Sequence, residues 1–270
     1  MNNDNLGDRM KEYESIPSNK LISKIPVLIR IDGRAFHSVT KHFAKPFDQV
    51  LIKTMQETTK ELCENISDCR IGYTQSDEIS LLVYPKDIWT SEPFFGNKVQ
   101  KICSITASMA TMFFYKNFIK NVKEFQDFTS KEEKPESKKL LDTYNKVIEK
   151  GINFDSRCFN IPIEEVENYF IWRQQDATRN SIQMVARSLY SHKELEGKKF
   201  ADLNELLFQK GVNFDKLPTV WKRGTAVIKV PQSIQVEGQS NPVIRYKWWI
   251  DNDMPIITEH RDYITNNFKN

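Results

Sequence analysis

Cysteine is scarce, and the four that occur, Cys63, Cys69, Cys103 and Cys158, form neither a C-x-x-C pair nor the Cys/His spacing of a zinc site. A disulfide framework and a structural zinc centre are therefore not expected; reduced thiols in an intracellular protein are. No apolar run reaches the roughly 18 residues of a membrane-spanning helix. The opening MNNDNLGDRMKEYE is acidic and Asn-rich, unlike a secretion signal or an Arg-rich transit peptide. A cytoplasmic location is the expectation, and a mitochondrial one is the alternative. A strong charge of one sign is also missing. The net charge of +3 permits RNA binding through local patches without demanding it. No internal repeat is visible, and 270 residues suffice to bury a substantial core in one large domain or two intimate ones.

What is present begins with a short apolar run. Ile25 to Ile31 reads as a strand that breaks at Asp32-Gly33, placing Asp32 at its carboxyl end. Phe47 to Cys63 has helical spacing, with Val50, Leu51, Met55 and Leu62 on roughly one side. Arg70 to Thr74 and Ile79 to Tyr84 are β-rich runs whose connection, Gln75-Ser76-Asp77-Glu78, is short enough for a hairpin. If the first strand lies beside this hairpin, Asp32 and Asp77 converge at one sheet edge, where a hard cation finds oxygen ligands. Paired divalent ions about 3.5 to 4 Å apart stabilise both oxygens of an in-line displacement at phosphorus, and magnesium needs only one or two carboxylates beside substrate phosphates. Either aspartate alone reads as a turn residue; together they predict nucleotidyl transfer.

Further along, Asn97 to Ile119 has a long helical pattern in which Ser104 to Ala110 is a packing stripe. Lys123 to Lys139 is charged, poor in apolar residues, and reads as a loop or mobile insertion. Asn153 to Pro162 reads as a strand. Ile163 to Arg173, Ala177 to Tyr190 and Ala201 to Gln209 read as helices, and Thr225 to Val230 and Val243 to Ile250 as a later strand pair.

Five segments then carry a resemblance: RIDGRAFH at Arg30 to His37, AKPFD at Ala44 to Asp48, GYTQSDE at Gly72 to Glu78, FDSR at Phe154 to Arg157, and WRQQDATRNS at Trp172 to Ser181. In that order and spacing the chain resembles the tRNA-His guanylyltransferase family, including its guanylyltransferase-like branch of 3′-to-5′ RNA polymerases. The resemblance runs from Gly7 to about Lys193. It implies an α+β (α/β) fold, a polymerase-like palm with a ferredoxin-like βαββαβ core plus mainly helical C-terminal elements. It further implies two Mg2+ ions, ATP and GTP or other NTPs as substrates, tRNA as partner, and a homotetramer with no membrane association. The expected division is a palm-like catalytic region over 1–145, including a charged loop near 121–145. Residues 146–270 would supply the remaining palm strand and an RNA-binding and assembly region, packed as one unit.

Carried over position by position, the resemblance puts the metal ligands at Asp32, the Gly33 carbonyl and Asp77. Glycine suits a close backbone approach to an ion. Nucleotide contacts fall on the same three residues and on the turn Arg34, Ala35, Phe36 and His37, whose backbone N–H groups can form an anion-binding concavity, with Ser76 on the hairpin. Lys45 reads as a phosphate contact or a surface lysine, and Asp48 as an acceptor for a purine edge or a helix N-terminal charge. His37 reads as a phosphate contact, proton carrier or structural side chain. Glu78 is a candidate catalytic residue that reaches an ion or active-site water, or else a solvated hairpin charge. Lys98 and Lys101 meet distal phosphates or lie on a solvated helix face. Arg157, Arg173 and Asn180 are expected RNA contacts, with ion pairing of the arginines to Asp155 and Asp176 as the alternative. Trp172 reads as core more than as a stacking platform.

One departure bears on substrate. Where histidine-tRNA-specific members carry HINNLYN, this chain has Thr178-Arg179-Asn180-Ser181-Ile182-Gln183-Met184. The expectation is therefore template-dependent nucleotide addition to the 5′ end of truncated tRNA, with G addition to histidine tRNA as the alternative. A noncatalytic RNA-binding module is a more distant reading.

Overall fold

A computed structural model of the chain describes residues 5–87, 89–130, 134–235 and 242–269. After helix α1 (Leu6–Ser15), strand β1 (Val27–Gly33) opens the sheet and leads through the single turn of α2 (Phe36–Val39) to α3 (Gln49–Asn65). The hairpin β2 (Cys69–Gln75) and β3 (Glu78–Val83) follows, then α4 (Val99–Thr129), α5 (Pro135–Lys150) and β4 (Phe154–Asn160). The remainder comprises α6 (Val166–Leu189), α7 (His192–Leu195), α8 (Phe200–Gln209), α9 (Thr219–Arg223), β5 (Thr225–Ile234), β6 (Val243–Asp251) and α10 (Asp262–Lys269).

The sheet order is β4-β1-β3-β2-β5-β6, with every neighbouring pair antiparallel. Its first four strands have the order of a ferredoxin-like βαββαβ unit, as expected. The C-terminal part is mainly helical, and the expected later strand pair is present as β5 and β6, which extend the same sheet beyond β2. Alternation assigns the faces. Val27, Ile29 and Ile31 join the core under α3, α4 and α5, together with Met55, Leu62, Phe114, Phe118 and Tyr144. Leu28 faces the other way, into a second core with Val166, Phe170, Ala177 and Ile264. Arg30 and Asp32 share the parity of Leu28 and belong to the α6 side.

Two expectations are corrected. The charged segment is no loop: α4 runs on to Thr129 and α5 starts at Pro135, while Glu132 and Glu133 lie outside the described residues. Val122, Phe125, Leu140, Leu141, Tyr144 and Val147 supply an apolar stripe on which the two helices meet the core. The two helices expected over 163–190 are one, because Gln174 is buried and bonded at both ends, donating to the Pro255 carbonyl and accepting from Ile257 N–H. Among the described residues, no helix is long and apolar enough to cross a membrane.

Candidate active site

The site is assembled by register. β1 lies between β3 and β4 so that Asp32 faces Glu78 on one side and Asp155 on the other, and Gly33 N–H donates to the Asp77 carbonyl at 3.1 Å. That bond ties the end of β1 to the hairpin tip and brings Asp32 and Asp77 to one edge. Phe36 makes Gly33 obligatory, since a Cβ there would lie 2.2 Å from the Phe36 ring. The ring is buried against Phe114 and Phe154, so the turn after Asp32 stands on the hydrophobic core.

Electrostatics single out the edge. Burial pushes the Asp77 carboxyl up, the charge of Asp32 adds to the rise, and the Ser76 hydroxyl, which donates to Asp77 at 2.9 Å, and His37 oppose it. Among the described residues neither Asp32 nor Asp77 has an ion-pair partner, so two neighbouring carboxylates are left uncompensated. Among the described residues, no group of three or more His, Cys, Asp or Glu side chains forms a metal cage there. Two carboxylates and a backbone carbonyl are instead a donor set of the magnesium kind, which leaves positions for water and substrate phosphates.

Glu78 is treated differently from its neighbour. Its carboxylate pairs with Arg30, and with Arg173 through Nε at 2.7 Å and a second nitrogen at 3.0 Å. Burial still raises its carboxyl above the ordinary range, against the pull of Arg173 and Arg30. Held by Arg30 and Arg173, Glu78 is a buried anchor behind the two aspartates and not the solvated hairpin charge that was the alternative reading. Arg173 is buried and also binds Asp176 at 3.0 Å, so ion pairing prevails over RNA contact. Arg157 pairs with Asp155 at 3.1 Å on the exposed edge strand, and Asn180 is exposed on α6, bonded to Asp176. Trp172 is 46% exposed and lies beside the Arg173 guanidinium, outside the core.

The remaining candidates separate into near and far. Ala35 turns the chain in the left-handed region at φ 55°, setting Arg34 and His37 on an exposed corner, while the Phe36 side chain belongs to the core and can offer only its backbone. Lys45 is exposed and donates to the Thr40 carbonyl at 3.1 Å, close to the same turn. Asp48 is buried and occupied. It caps α3 by accepting from Leu51 N–H at 2.9 Å, and it accepts from Ala44 N–H at 3.0 Å and the Tyr144 hydroxyl at 2.6 Å. The helix-capping role given as the alternative is therefore present. Lys98 and Lys101 lie at the start of α4. The start of this helix packs by Cys158, whereas Thr111 accepts from Phe154 N–H beside Gly33. From Lys101 to Thr111 the helix rises about 15 Å. Two neighbours escaped sequence reasoning in their spatial role, Asp155 across from Asp32 and Arg30 beneath Glu78. The i, i+2 parity of Arg30 and Asp32 was the available signal.

Comparison with known proteins identifies the family and the fold. The family model described as "Thg1: tRNAHis guanylyltransferase" matches residues 7–162, and the Thg1 C terminal domain matches 164–265. A probable tRNA(His) guanylyltransferase of Dictyostelium discoideum is 27% identical over 95% of this chain and 94% of that protein. A solved bacterial tRNA(His) guanylyltransferase-like protein in complex with ATP superimposes with TM-score 0.76 at 38% identity, covering 97% of this chain and 98% of that one. A complex described as the same kind of bacterial protein with GTP gives 0.70 at 36%, covering 98% and 99% of the two chains. The tRNA(His) guanylyltransferase of Saccharomyces cerevisiae shares the fold at TM-score 0.59 and 22% identity, over 87% of this chain and 95% of that one.

Proposed function

The chain belongs to the tRNAHis guanylyltransferase family, and from that premise we propose that it is a nucleotidyltransferase adding nucleotides in the 3′-to-5′ direction to the 5′ end of tRNA. The observation that carries the reading is the uncompensated pair Asp32 and Asp77, locked to one edge by the Gly33 N–H bond. Asp32, Asp77 and the Gly33 carbonyl would hold two Mg2+ ions, which when bound supply charge neutralisation and lower the basicity of an attacking hydroxyl. Glu78, clamped by Arg30 and Arg173, fixes the strand register that sets the two aspartates. Arg34, His37, Lys45 and Ser76 receive the triphosphate, with the Ala35–Phe36 backbone as the floor of the turn.

Two displacements at phosphorus share this edge. In the first, a 5′-phosphate oxygen of the RNA attacks the α-phosphorus of ATP, forming a P–O–P bond and releasing pyrophosphate. In the second, the 3′-hydroxyl of an incoming NTP attacks the RNA's 5′-phosphorus, loses its proton and expels AMP. Positioning by these side chains is the protein's main contribution, as in phosphoryl transfer generally. An RNA already carrying a 5′ triphosphate enters at the second stage and releases pyrophosphate.

Substrate choice follows from what replaces HINNLYN. On α6 beyond the buried Arg173, Thr178 is half-buried and Arg179 and Asn180 are exposed, and the His is absent. We read this as template-dependent repair of 5′-truncated tRNA of several identities, with pairing to the opposite acceptor strand choosing the base. Incubation with Mg2+, ATP, labelled NTPs, a panel of 5′-truncated tRNAs and full-length histidine tRNA tests it. Incorporation opposite each template base on truncated tRNAs is expected. Addition confined to G on histidine tRNA would transfer the assignment to the other activity, and no addition to either would end it. Cytoplasmic location and a homotetramer belong to the same reading, and fractionation and solution mass measurement check them.

A further inference from the structure

A cleft of about 400 Å³ lies between α5 and the segment after the nucleotide turn. Its walls present Ser38 and His42 on one side and Lys139, Asp142, Lys146 and Lys150 on the other. The four α5 residues recur at intervals of three or four, and therefore form one flank of the helix. From Lys139 to Lys150 that flank is about 16 Å long.

Three features set this flank apart from an ordinary solvated helix face. First, the lysines are unmatched. On the neighbouring α3–α4 surface Lys53 pairs with Glu124, Lys116 with Glu61 at 3.0 Å and Lys120 with Glu57 at 2.9 Å. Among the described residues, Lys139, Lys146 and Lys150 have no such partner, although Asp142 stands within helical reach of two of them. Second, the flank leads to the active edge. α5 ends at Gly151, and the Asn153 carbonyl accepts from Arg34 N–H at 2.9 Å, so the last turn of the lysine row adjoins the turn holding Arg34 and His37. Third, the row is rigidly mounted. Tyr144 on the opposite face is buried edge-on against Phe43 and bonded to Asp48, and the Tyr115 hydroxyl donates to the Ile148 carbonyl.

We infer that the α5 flank Lys139, Lys146 and Lys150 is a phosphate track that holds the backbone of the tRNA substrate as it enters the active edge. A triphosphate is too short to use a row of this length while its α-phosphorus sits between Asp32 and Asp77. A polyanionic backbone is long enough, and point-charge lysines on a rigid helix suit contacts that position an RNA without reading its bases. The inference rests on the tRNA reading above for the identity of its ligand.

The test measures binding of a 5′-truncated tRNA to the full chain across a salt series, with ATP and GTP affinity measured in parallel. The triple variant Lys139→Ala, Lys146→Ala, Lys150→Ala is expected to lose at least roughly tenfold in tRNA affinity and to flatten the log–log salt slope by about 2 to 3. ATP and GTP affinities stay at the wild-type level. Asp142→Lys is expected to tighten tRNA binding and steepen the slope, which a variant that merely fails to fold cannot do. Wild-type tRNA affinity and slope in the folded triple variant would overturn the track. So would a loss of ATP and GTP affinity in proportion to that of tRNA, since the cleft would then belong to the nucleotide. If the wild type adds no nucleotide yet binds tRNA through these lysines, the nucleotidyl-transfer reading fails and the track stands.

Discussion

Asp77 and Glu78 are adjacent in the chain, yet the fold treats them in opposite ways. At the hairpin tip, Asp77 is buried and faces the like charge of Asp32, relieved by a serine hydroxyl, a backbone N–H and a histidine but by no ion pair among the described residues. One residue later, Glu78 meets two guanidinium groups. Asp77 sits in the turn while Glu78 opens β3 on the side of the sheet that carries Arg30 and Arg173, so one hairpin supplies both a frustrated carboxylate and a satisfied one. The lesson concerns where a site stores unfavourable charge. It lies at the tip, where a cation and a polyphosphate can arrive, while the layer behind is neutralised permanently and holds the register.

Breaking the tip is expected to have the largest effect. Asp32→Asn or Asp77→Asn should lower nucleotide addition by about 1000-fold or more, equivalent to roughly 4 kcal/mol of transition-state stabilisation. Circular dichroism should remain native, and steady-state incorporation on truncated tRNA reads the loss. Breaking the layer behind should act on stability first. Arg173→Met leaves Glu78 with Arg30 alone and should cost about 3 kcal/mol in a denaturant titration, with tRNA affinity unchanged in the folded fraction. The cap at α3 lies outside both regions and sharpens the contrast. Asp48→Ala should cost about 1 to 2 kcal/mol through lost capping, while ATP and GTP affinities hold.

The smallest effect is the most diagnostic. The folded-state carboxyl of Asp77 is raised, so between its unfolded value and that raised value the native state holds the extra proton. Stability therefore falls as pH rises through that window, and above it the cost is constant. Asp77→Asn should remove this slope and leave the protein slightly more stable at neutral pH. Mg2+ should raise the melting temperature of the wild type and not of Asp77→Asn, because only the native state presents the pair. A Glu78→Gln variant that showed the same loss of Mg2+ response would erase the distinction between the two neighbours.

Much of this was legible in sequence because local pattern and tertiary demand coincide there. The apolar run ending at Asp32 and the short link around Asp77 locate both carboxylates, and the resemblance supplies strand order. The burial of Val50, Met55 and Leu62 follows from helical spacing alone. Legibility failed where partners are remote. The ion pairing of Glu78 was hidden because Arg173, 95 positions later, leaves no mark near it. Asp48 looked available because Tyr144, its bonding partner, comes 96 positions later. The helices around Lys123 to Lys139 were concealed by their charge: a narrow stripe such as Val122, Phe125, Leu140 and Tyr144 suffices to bury one face of each, and composition averages that stripe away.

Gly33 has a consequence for how the enzyme tolerates change. With the Phe36 ring filling the volume any side chain would need, the spot from which the ions are to be held is the outermost layer of the aromatic packing that runs through Phe114 and Phe154. Chemistry and interior are thus one continuous solid at that point, and a repacking remote from any substrate is transmitted to turnover before melting registers it.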